Sequence, residues 1–231
     1  ALGVARELIE EDLFDHEFVE GWTDLPMLVR MDTQEMLRAA DCIPGYENKA
    51  LKRTNVVAKK GLPKPFDVNV GAATISHEQR EDWGDFVMWD TEKKQPVGVS
   101  RDDIGKYFKK VKPALEGTFK VTLVDGGEVE CRPVFGLVRQ HLKDTWTLEN
   151  TEKVTWAPQE SVKAMARLWA ANPEKTLFAV GMGPNQMFNA DQKDRAIFLV
   201  AAGVVAGHRV ALAMANRPEM VVAYLAVLRV Q

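Results

Sequence analysis

The chain has 231 residues, of which 46% are hydrophobic and 27% charged, and its formal net charge is −3. This composition is typical of a folded globular protein and excludes a disordered chain. The near-balanced charge excludes the electrostatic footprint of a nucleic-acid-binding protein. The basic residues are scattered as pairs rather than patches, which indicates solvated faces: Lys59–Lys60, Lys93–Lys94 and Lys109–Lys110.

The two cysteines, Cys42 and Cys131, lie far apart and have no CxxC companion. Alone they cannot build a zinc site or an iron–sulfur cluster. Isolated thiols are more often small buried hydrophobes, while their spacing neither supports nor excludes a disulfide. The four histidines are also dispersed and sit in no metal-ligand motif: His16, His77, His141 and His208.

The N-terminal segment predicts helices and a short strand. ALGVARELIEEDLF has apolar residues at helical spacing, and it shows neither an initial Met nor a signal-peptide pattern, which suggests an internal piece of a longer protein. Asp15 is expected to cap a second helix, EFVEGWT, which Pro26 ends. MLVRM (27–31) predicts a strand. Thr33 is expected to cap another helix, TQEMLRAAD, which stops at Pro44-Gly45.

The middle of the chain predicts an irregular region that carries two hairpins. Residues 45–83 are rich in Gly, Pro, Lys and Asn, as expected for a cover or a subunit contact. DFVMWD and PVGVS flank the polar tip TEKKQ and predict the first hairpin. In 118–134, alternating apolar residues on both sides of Asp125-Gly126-Gly127 predict the second.

The C-terminal part predicts a helix, a buried strand, a glycine loop and a further helix. Pro158 opens the first helix, TLFAVG (176–181) is typical of a buried parallel strand, and the second helix begins near Asp191. The predicted fold class is therefore α/β, with βα units of a doubly wound sheet and an irregular middle with β-hairpins. One face of the first helix is expected to carry its apolar residues: Val162, Met165, Ala166 and Trp169.

The loop after the predicted strand is the best candidate site. In open parallel sheets, ligands bind beyond the carboxyl ends of the strands, where glycines admit a close backbone approach and the next helix presents free N–H groups. The candidate contacts are two glycines and three amides suited to a nucleotide or pterin edge: Gly181, Gly183, Asn185, Gln186 and Asn189. By itself GMGPNQ fits neither GxGxxG nor a Walker loop, and a purely structural turn is an equal alternative.

Four collinear stretches carry a family resemblance. GMGPNQMFNADQKDRAIFLVAAG (181–203) resembles a cofactor-holding loop of the molybdopterin oxidoreductases of the dimethyl sulfoxide reductase superfamily, nearest the nitrate reductase-type branch. LIEEDLFDHEFVEGWTDLPMLVR (8–30), EMLRAAD (35–41) and TWAPQESVKAMARLWAANPEKT (155–176) resemble further segments of such catalytic subunits, in the same order.

The resemblance implies a fragment of a catalytic subunit with molybdenum bis(molybdopterin guanine dinucleotide). The five loop residues would contact the guanine dinucleotide, whereas the metal ligand and the iron–sulfur cysteines would lie upstream, so that the segment would be inactive alone. The implied partners are an iron–sulfur electron-transfer subunit, a membrane or haem subunit, and a small oxyanion or a hydroxylated substrate. The implied location is the cytoplasmic membrane, on either face. Nitrate reductases of the branch carry His where Gln186 stands, which puts plain nitrate reduction in doubt.

The predicted division has four parts: 1–44 as the helical end of an upstream cofactor domain, 45–150 as the insertion with hairpins, 151–209 as the βα cofactor-binding unit, and 210–231 as an atypical tail. The tail VALAMANRPEMVVAYLAVLRVQ lacks the glycine-rich continuation of the family and is either a truncated or out-of-frame end or a divergent amphipathic helix. The alternative function is a noncatalytic nucleotide-binding or assembly module that lost the metal site.

Overall fold

The structure, a computed structural model, describes residues 1–48, 84–100, 103, 105–173, 176, 196–197 and 200. These residues form a mixed α/β architecture, which confirms the predicted class. The chain divides into two compact units, one of residues 1–19 with 137–231 and one of residues 20–136. We call them the helical unit and the sheet unit. The predicted boundaries at 44/45, 150/151 and 209/210 stay predictions.

The helical unit joins the start of the chain to its later helices. Its elements are α1 (Leu2–Glu10), most of α4 (Val134–Thr145), α5 (Leu148–Thr155) and α6 (Gln159–Ala171). α1 approaches α5 closely, since a Cβ built on Gly3 would lie 2.6 Å from Thr151 Cγ2. The core of the unit consists of apolar side chains from three of these helices and one later residue: Val4, Ala5, Leu8, Leu142, Val162, Ala166 and Val200.

Ion pairs tie α1 to the helices packed on it. Arg139 Nε donates to Glu10 Oε1 at 2.9 Å. Arg167 donates from Nε and Nη2 to the two oxygens of Glu11, at 2.9 and 2.8 Å. The hydrogen bond from Arg167 holds the pKa of Glu11 below its usual value. Each pair spans more than a hundred positions of sequence, so the ends of this unit meet through tertiary contacts alone.

The sheet unit contains two antiparallel sheets. β1 (Leu28–Arg30), β5 (Glu128–Pro133) and β4 (Phe119–Thr122) form a three-stranded sheet in that order. β2 (Phe86–Asp90) pairs with β3 (Gln95–Val99). Both predicted hairpins are confirmed. In the second, Gly126 has a φ of +89° and Gly127 N–H donates to Asp125 Oδ1, as the Asp-Gly-Gly signal predicts.

Two apolar clusters lie within the sheet unit. The first contains side chains from β1, β2, β4, β5 and α3 (Ala39–Cys42): Leu28, Leu37, Ala39, Cys42, Val87, Val121 and Cys131. The second lies around β2, β3 and the 3-10 turn Tyr107–Lys109: Met27, Phe86, Met88, Val99, Tyr107 and Val111. No member of either cluster belongs to the helical unit.

The two N-terminal helices and the strand at 27–31 are confirmed. α2 spans His16–Trp22, and the Asp15 carboxylate accepts Phe18 N–H at 2.9 Å, as expected of its cap. The helix predicted for TQEMLRAAD is wrong over residues 33–38. There the chain turns at Gln34, with a φ of +61°, and runs back along β1. The N–H of Leu37 donates to Leu28 O at 2.8 Å, so only the end of the predicted helix forms, as α3.

The helix predicted from Pro158 is confirmed as α6. The prediction that Met165 lies on its buried apolar face is wrong. Val162 and Ala166 are buried, whereas Met165 is 45% exposed. The strand predicted at 176–181 and the loop behind it lie outside the described residues, apart from Thr176. So do residues 49–83 of the predicted cover and the tail at 210–231. No helix within the described residues is both long and apolar enough to span a bilayer.

Candidate functional site

The residues on either side of the predicted cofactor loop pack into one core. Val162 and Ala166 of α6, before the loop, are buried in the cluster that also contains Val200, after it. Ala196, Ile197 and Val200 have helical backbone, in agreement with the helix predicted from about Asp191. Residues on both sides of the predicted loop therefore belong to the same core of the helical unit.

The end of α6 is fixed by local polar contacts. Asn172 donates from its side-chain amide to Leu168 O at 3.0 Å and accepts on its own carbonyl from Thr176 Oγ1 at 2.8 Å. The Thr176 N–H donates to Pro173 O at 3.2 Å. Pro173 cannot continue the helix, and these bonds satisfy polar groups at its C-terminal end.

The five predicted cofactor contacts lie outside the described residues, and their roles stay predictions: Gly181, Gly183, Asn185, Gln186 and Asn189. Thr176 before them and Ala196 after them are described. The contacts of the loop itself therefore rest on the sequence.

The cysteines are structural. Cys42 is 8% and Cys131 0% exposed, both are free thiols, and both belong to the first cluster of the sheet unit. Burial raises the pKa of each thiol to about 11. Because a thiolate is the nucleophile and the metal ligand, these thiols are unsuited to either role near neutral pH. The expectation of small buried hydrophobes is confirmed.

The described histidines show no metal site. His16 Nε2 lies 2.8 Å from Asp12 Oδ1, and its ring lies 4.2 Å from that of Phe14. His141 lies on the exposed side of α4. Across the described part of the chain, no three His, Cys, Asp or Glu residues come together as metal ligands. His77 and His208 lie outside it.

One polar group was not foreseen from the sequence. The Asp85 side chain is buried, its Oδ2 accepts the Tyr46 hydroxyl at 2.9 Å, and its backbone N–H donates to Asn48 Oδ1 at 3.0 Å. We call Tyr46, Asn48 and Asp85 the Asp85 cluster. Residues 46–48 and 84–85 flank the stretch 49–83. The hydrogen bonds of the cluster hold these flanking residues next to each other. No local signal predicts a contact between residues 39 positions apart.

Comparison with known proteins gives two clear relatives, although no protein-family profile matches the chain. Over 208 residues the chain is 30% identical to perchlorate reductase subunit alpha of Dechloromonas aromatica, a match that covers 87% of this chain and 20% of the relative. It is 27% identical over 208 residues to respiratory nitrate reductase subunit alpha of Haloferax mediterranei, with 87% and 18% covered. The chain thus spans about a fifth of the length of these relatives.

Proposed function

We propose that this chain is a segment of a catalytic subunit that reduces an oxyanion. The chain is homologous to part of the alpha subunits in the nitrate reductase-type branch of the molybdopterin oxidoreductases. The observation that carries the proposal is a pair of matches, each along 87% of the chain, to the alpha subunits of a perchlorate reductase and a nitrate reductase. The first relative favours a chlorine oxyanion. Gln186, where nitrate reductases of the branch carry His, argues against plain nitrate reduction.

In this proposal the segment binds and orients a molybdenum cofactor in its bis(molybdopterin guanine dinucleotide) form. The cofactor supplies the two-electron oxygen-atom chemistry when bound, and the protein supplies its position and surroundings. Gly181 and Gly183 would let the backbone approach the dinucleotide. The amides of Asn185, Gln186 and Asn189 would hydrogen-bond its polar edges. The anchoring of both flanks in one core supports this role, because a loop with fixed ends needs less ordering on binding.

Electrons would reach the subunit from an iron–sulfur partner subunit, with a membrane or haem subunit beyond it. An iron–sulfur cluster in the same alpha subunit would lie outside this segment, since Cys42 and Cys131 are buried within a core.

Substitution of the loop in the full-length subunit tests the cofactor role. Gly183→Val should abolish cofactor retention, because a side chain would occupy the space of the dinucleotide. Asn185→Ala and Gln186→Ala should each remove a hydrogen bond worth roughly 1–3 kcal/mol, or about 5- to 150-fold in affinity. The measurement is molybdenum and guanine nucleotide per mole of folded subunit.

Asn172→Ala is the matched control. Its amide only bonds the end of α6, so cofactor content should stay at the wild-type level. Full cofactor content in both loop amide variants would refute the binding role of Asn185 and Gln186. A folded wild-type subunit that contains no molybdenum would instead favour the alternative, a noncatalytic nucleotide-binding or assembly module.

A further inference from the structure

Two lysine pairs that are separate in sequence lie together in the sheet unit. Thr91, at the tip of the first hairpin, donates to Lys112 O from its N–H at 2.9 Å and from its hydroxyl at 3.0 Å. Lys93 Nζ, on the same tip, donates to Lys110 O at 3.3 Å. The hairpin tip and the segment that follows the 3-10 turn are therefore in direct contact, and their lysines share one surface.

Asp103 connects the start of the 3-10 turn to the same surface. Its carboxylate forms an ion pair with the ammonium of Lys110, and its carbonyl accepts the N–H of Lys106 at 2.7 Å. The N–H of Lys109 in turn donates to Lys106 O at 3.0 Å. We call the six exposed lysines of this region the lysine surface: Lys93, Lys94, Lys106, Lys109, Lys110 and Lys112.

Positive charge exceeds negative charge on the lysine surface. Among the described residues of 90–112, six lysines stand against three carboxylates, an excess of three positive charges in a chain whose net charge is −3. The carboxylates are paired, Asp90 with Lys93, Glu92 with Lys112 and Asp103 with Lys110. Within the described part of the chain, three lysines of the surface have no ion-pair partner: Lys94, Lys106 and Lys109.

Lys94 occupies a backbone position that favours glycine. Its φ is +54°, and its N–H donates to Asp90 O at 2.9 Å, which closes the hairpin tip. Glycine or asparagine is usual in this left-handed conformation because a longer side chain strains it. Backbone strain of this kind is concentrated at ligand-binding and other functional segments. The presence of a charged side chain at the strained tip therefore supports a binding role.

The exposure of the six lysines indicates what kind of ligand they fit. A single exposed ion pair contributes at most about 1 kcal/mol, because the ammonium group is strongly hydrated. A useful affinity therefore requires several negative charges on one ligand. Stable contact with a membrane usually adds an apolar anchor, but no large apolar side chain is exposed among the described residues of 86–113. These features favour a carboxylate-rich polypeptide.

We propose that the lysine surface binds an acidic segment of a partner protein, with carboxylates opposite Lys94, Lys106 and Lys109. Complementary charge of this kind increases the rate of association and fixes the orientation of the partner. The interaction goes beyond the oxyanion chemistry of the proposed function and does not depend on it.

Fluorescence anisotropy of a labelled octaglutamate peptide, titrated with the 231-residue chain, tests the proposal. The wild-type chain should bind the peptide, and its affinity should fall as the ionic strength rises from about 0.01 M to about 0.15 M. The double substitution Lys94→Gln and Lys109→Gln should lower the affinity roughly 2- to 30-fold, the range expected for two exposed ion pairs. Because both side chains are exposed, the urea midpoint should not change.

The matched control is the double substitution Lys143→Gln and Lys153→Gln. These lysines are exposed on α4 and α5 of the helical unit, so the net charge changes equally while the lysine surface stays intact. The control should bind octaglutamate as the wild type does.

Three results would overturn the proposal. The first is a wild-type chain that does not bind octaglutamate at low ionic strength. The second is an equal loss of affinity in both double variants, which would assign the binding to net charge alone. The third is sedimentation of the wild-type chain with vesicles of phosphatidylcholine and phosphatidylserine that is lost in the Lys94→Gln, Lys109→Gln variant, which would assign the surface to a membrane.

Discussion

At the scale of single residues, Asp90 organises the tip of the first hairpin. Its carboxylate is 2% exposed, and its Oδ1 accepts the N–H of Glu92 at 2.9 Å and of Lys93 at 3.0 Å, while Lys93 Nζ lies 3.2 Å from Oδ2. The N–H of Lys93, then that of Glu92 and the Lys93 ammonium, hold the pKa of Asp90 below its usual value, although burial acts to raise it. The ionised carboxylate therefore stabilises the folded hairpin.

Asp90→Ala should lower the free energy of unfolding by about 1–2 kcal/mol at pH 7, because two backbone donors lose a charged acceptor. Asp90→Asn keeps an oxygen acceptor and should lower the free energy of unfolding by less than Asp90→Ala does. Since the folded pKa is depressed, the contribution of the charge is complete above about pH 5 and is lost as the pH falls through the folded pKa. In urea unfolding, the gap between wild type and Asp90→Asn should shrink from pH 7 to pH 3. A gap of equal size at both values would contradict this account.

Gly98 allows the Tyr46 ring to lie close to the backbone of β3 in the sheet unit. A Cβ at this position would lie 2.5 Å from Tyr46 Cε2, and Tyr46 is tethered to the buried Asp85. Gly98→Ala should therefore cost about 1–3 kcal/mol of stability through overpacking. In a Tyr46→Ala background the same substitution should cost much less, because the ring is gone.

Gly136→Ala is the control for this pair of substitutions, Gly98→Ala and Tyr46→Ala. A Cβ there would lie 3.5 Å from the nearest heavy atom, Leu115 O, and the position is inside α4. Since alanine is the better helix former, stability should hold or rise by up to about 1 kcal/mol. Additive effects of Gly98→Ala and Tyr46→Ala in thermal or urea unfolding would show that the ring does not limit the site.

At the scale of elements, the sequence predicts correctly the helices and hairpins whose signals lie within a few neighbouring residues. The hairpins were found because alternation and the Asp-Gly-Gly turn are encoded within a few residues. α1 and α6 were found from apolar spacing, and α2 from its Asp15 cap. The helix predicted over 33–38 does not form because its helical propensity is outweighed by two pairings, the bridge of Met36 with Val29 of β1 and that of Arg38 with Phe86 of β2. The second joins residues 48 positions apart, which a local pattern does not reveal.

Contacts between residues distant in sequence also could not be predicted for the charged surface or for the candidate site. The lysine pairs at 93–94 and 109–110 look independent in sequence, yet Lys93 Nζ donates to Lys110 O at 3.3 Å. The Asp85 cluster likewise has no local signal. For the predicted cofactor loop, the sequence supplies the residue types, and the structure shows one core that contains residues from both sides of it, Val200 with Val162 and Ala166. The contacts of the loop itself stay predictions.

At the scale of the whole molecule, each unit has its own apolar core. Leu8, 3% exposed, lies in the cluster of the helical unit, and Leu28, 0% exposed, in that of the sheet unit. No cluster member is shared between the units. Because the helical unit joins residues 1–19 to the helices after 137, α1 is as necessary to that core as α6, although a long stretch of chain separates them.

Leu8→Ala should lower the stability of the helical unit by about 2–5 kcal/mol, the usual range for a buried leucine truncated to alanine. In peptide-resolved hydrogen exchange, amides of α6 should then exchange faster, because α6 packs against α1 through this core. Amides of β4 and β5 should keep their wild-type rates. Leu28→Ala is the reciprocal variant: it should accelerate exchange in β5, which pairs with β1, and leave α6 unchanged. If either substitution accelerated exchange equally in α6 and β5, the two cores would unfold as one cooperative unit, and the division into helical and sheet units would not describe their stability.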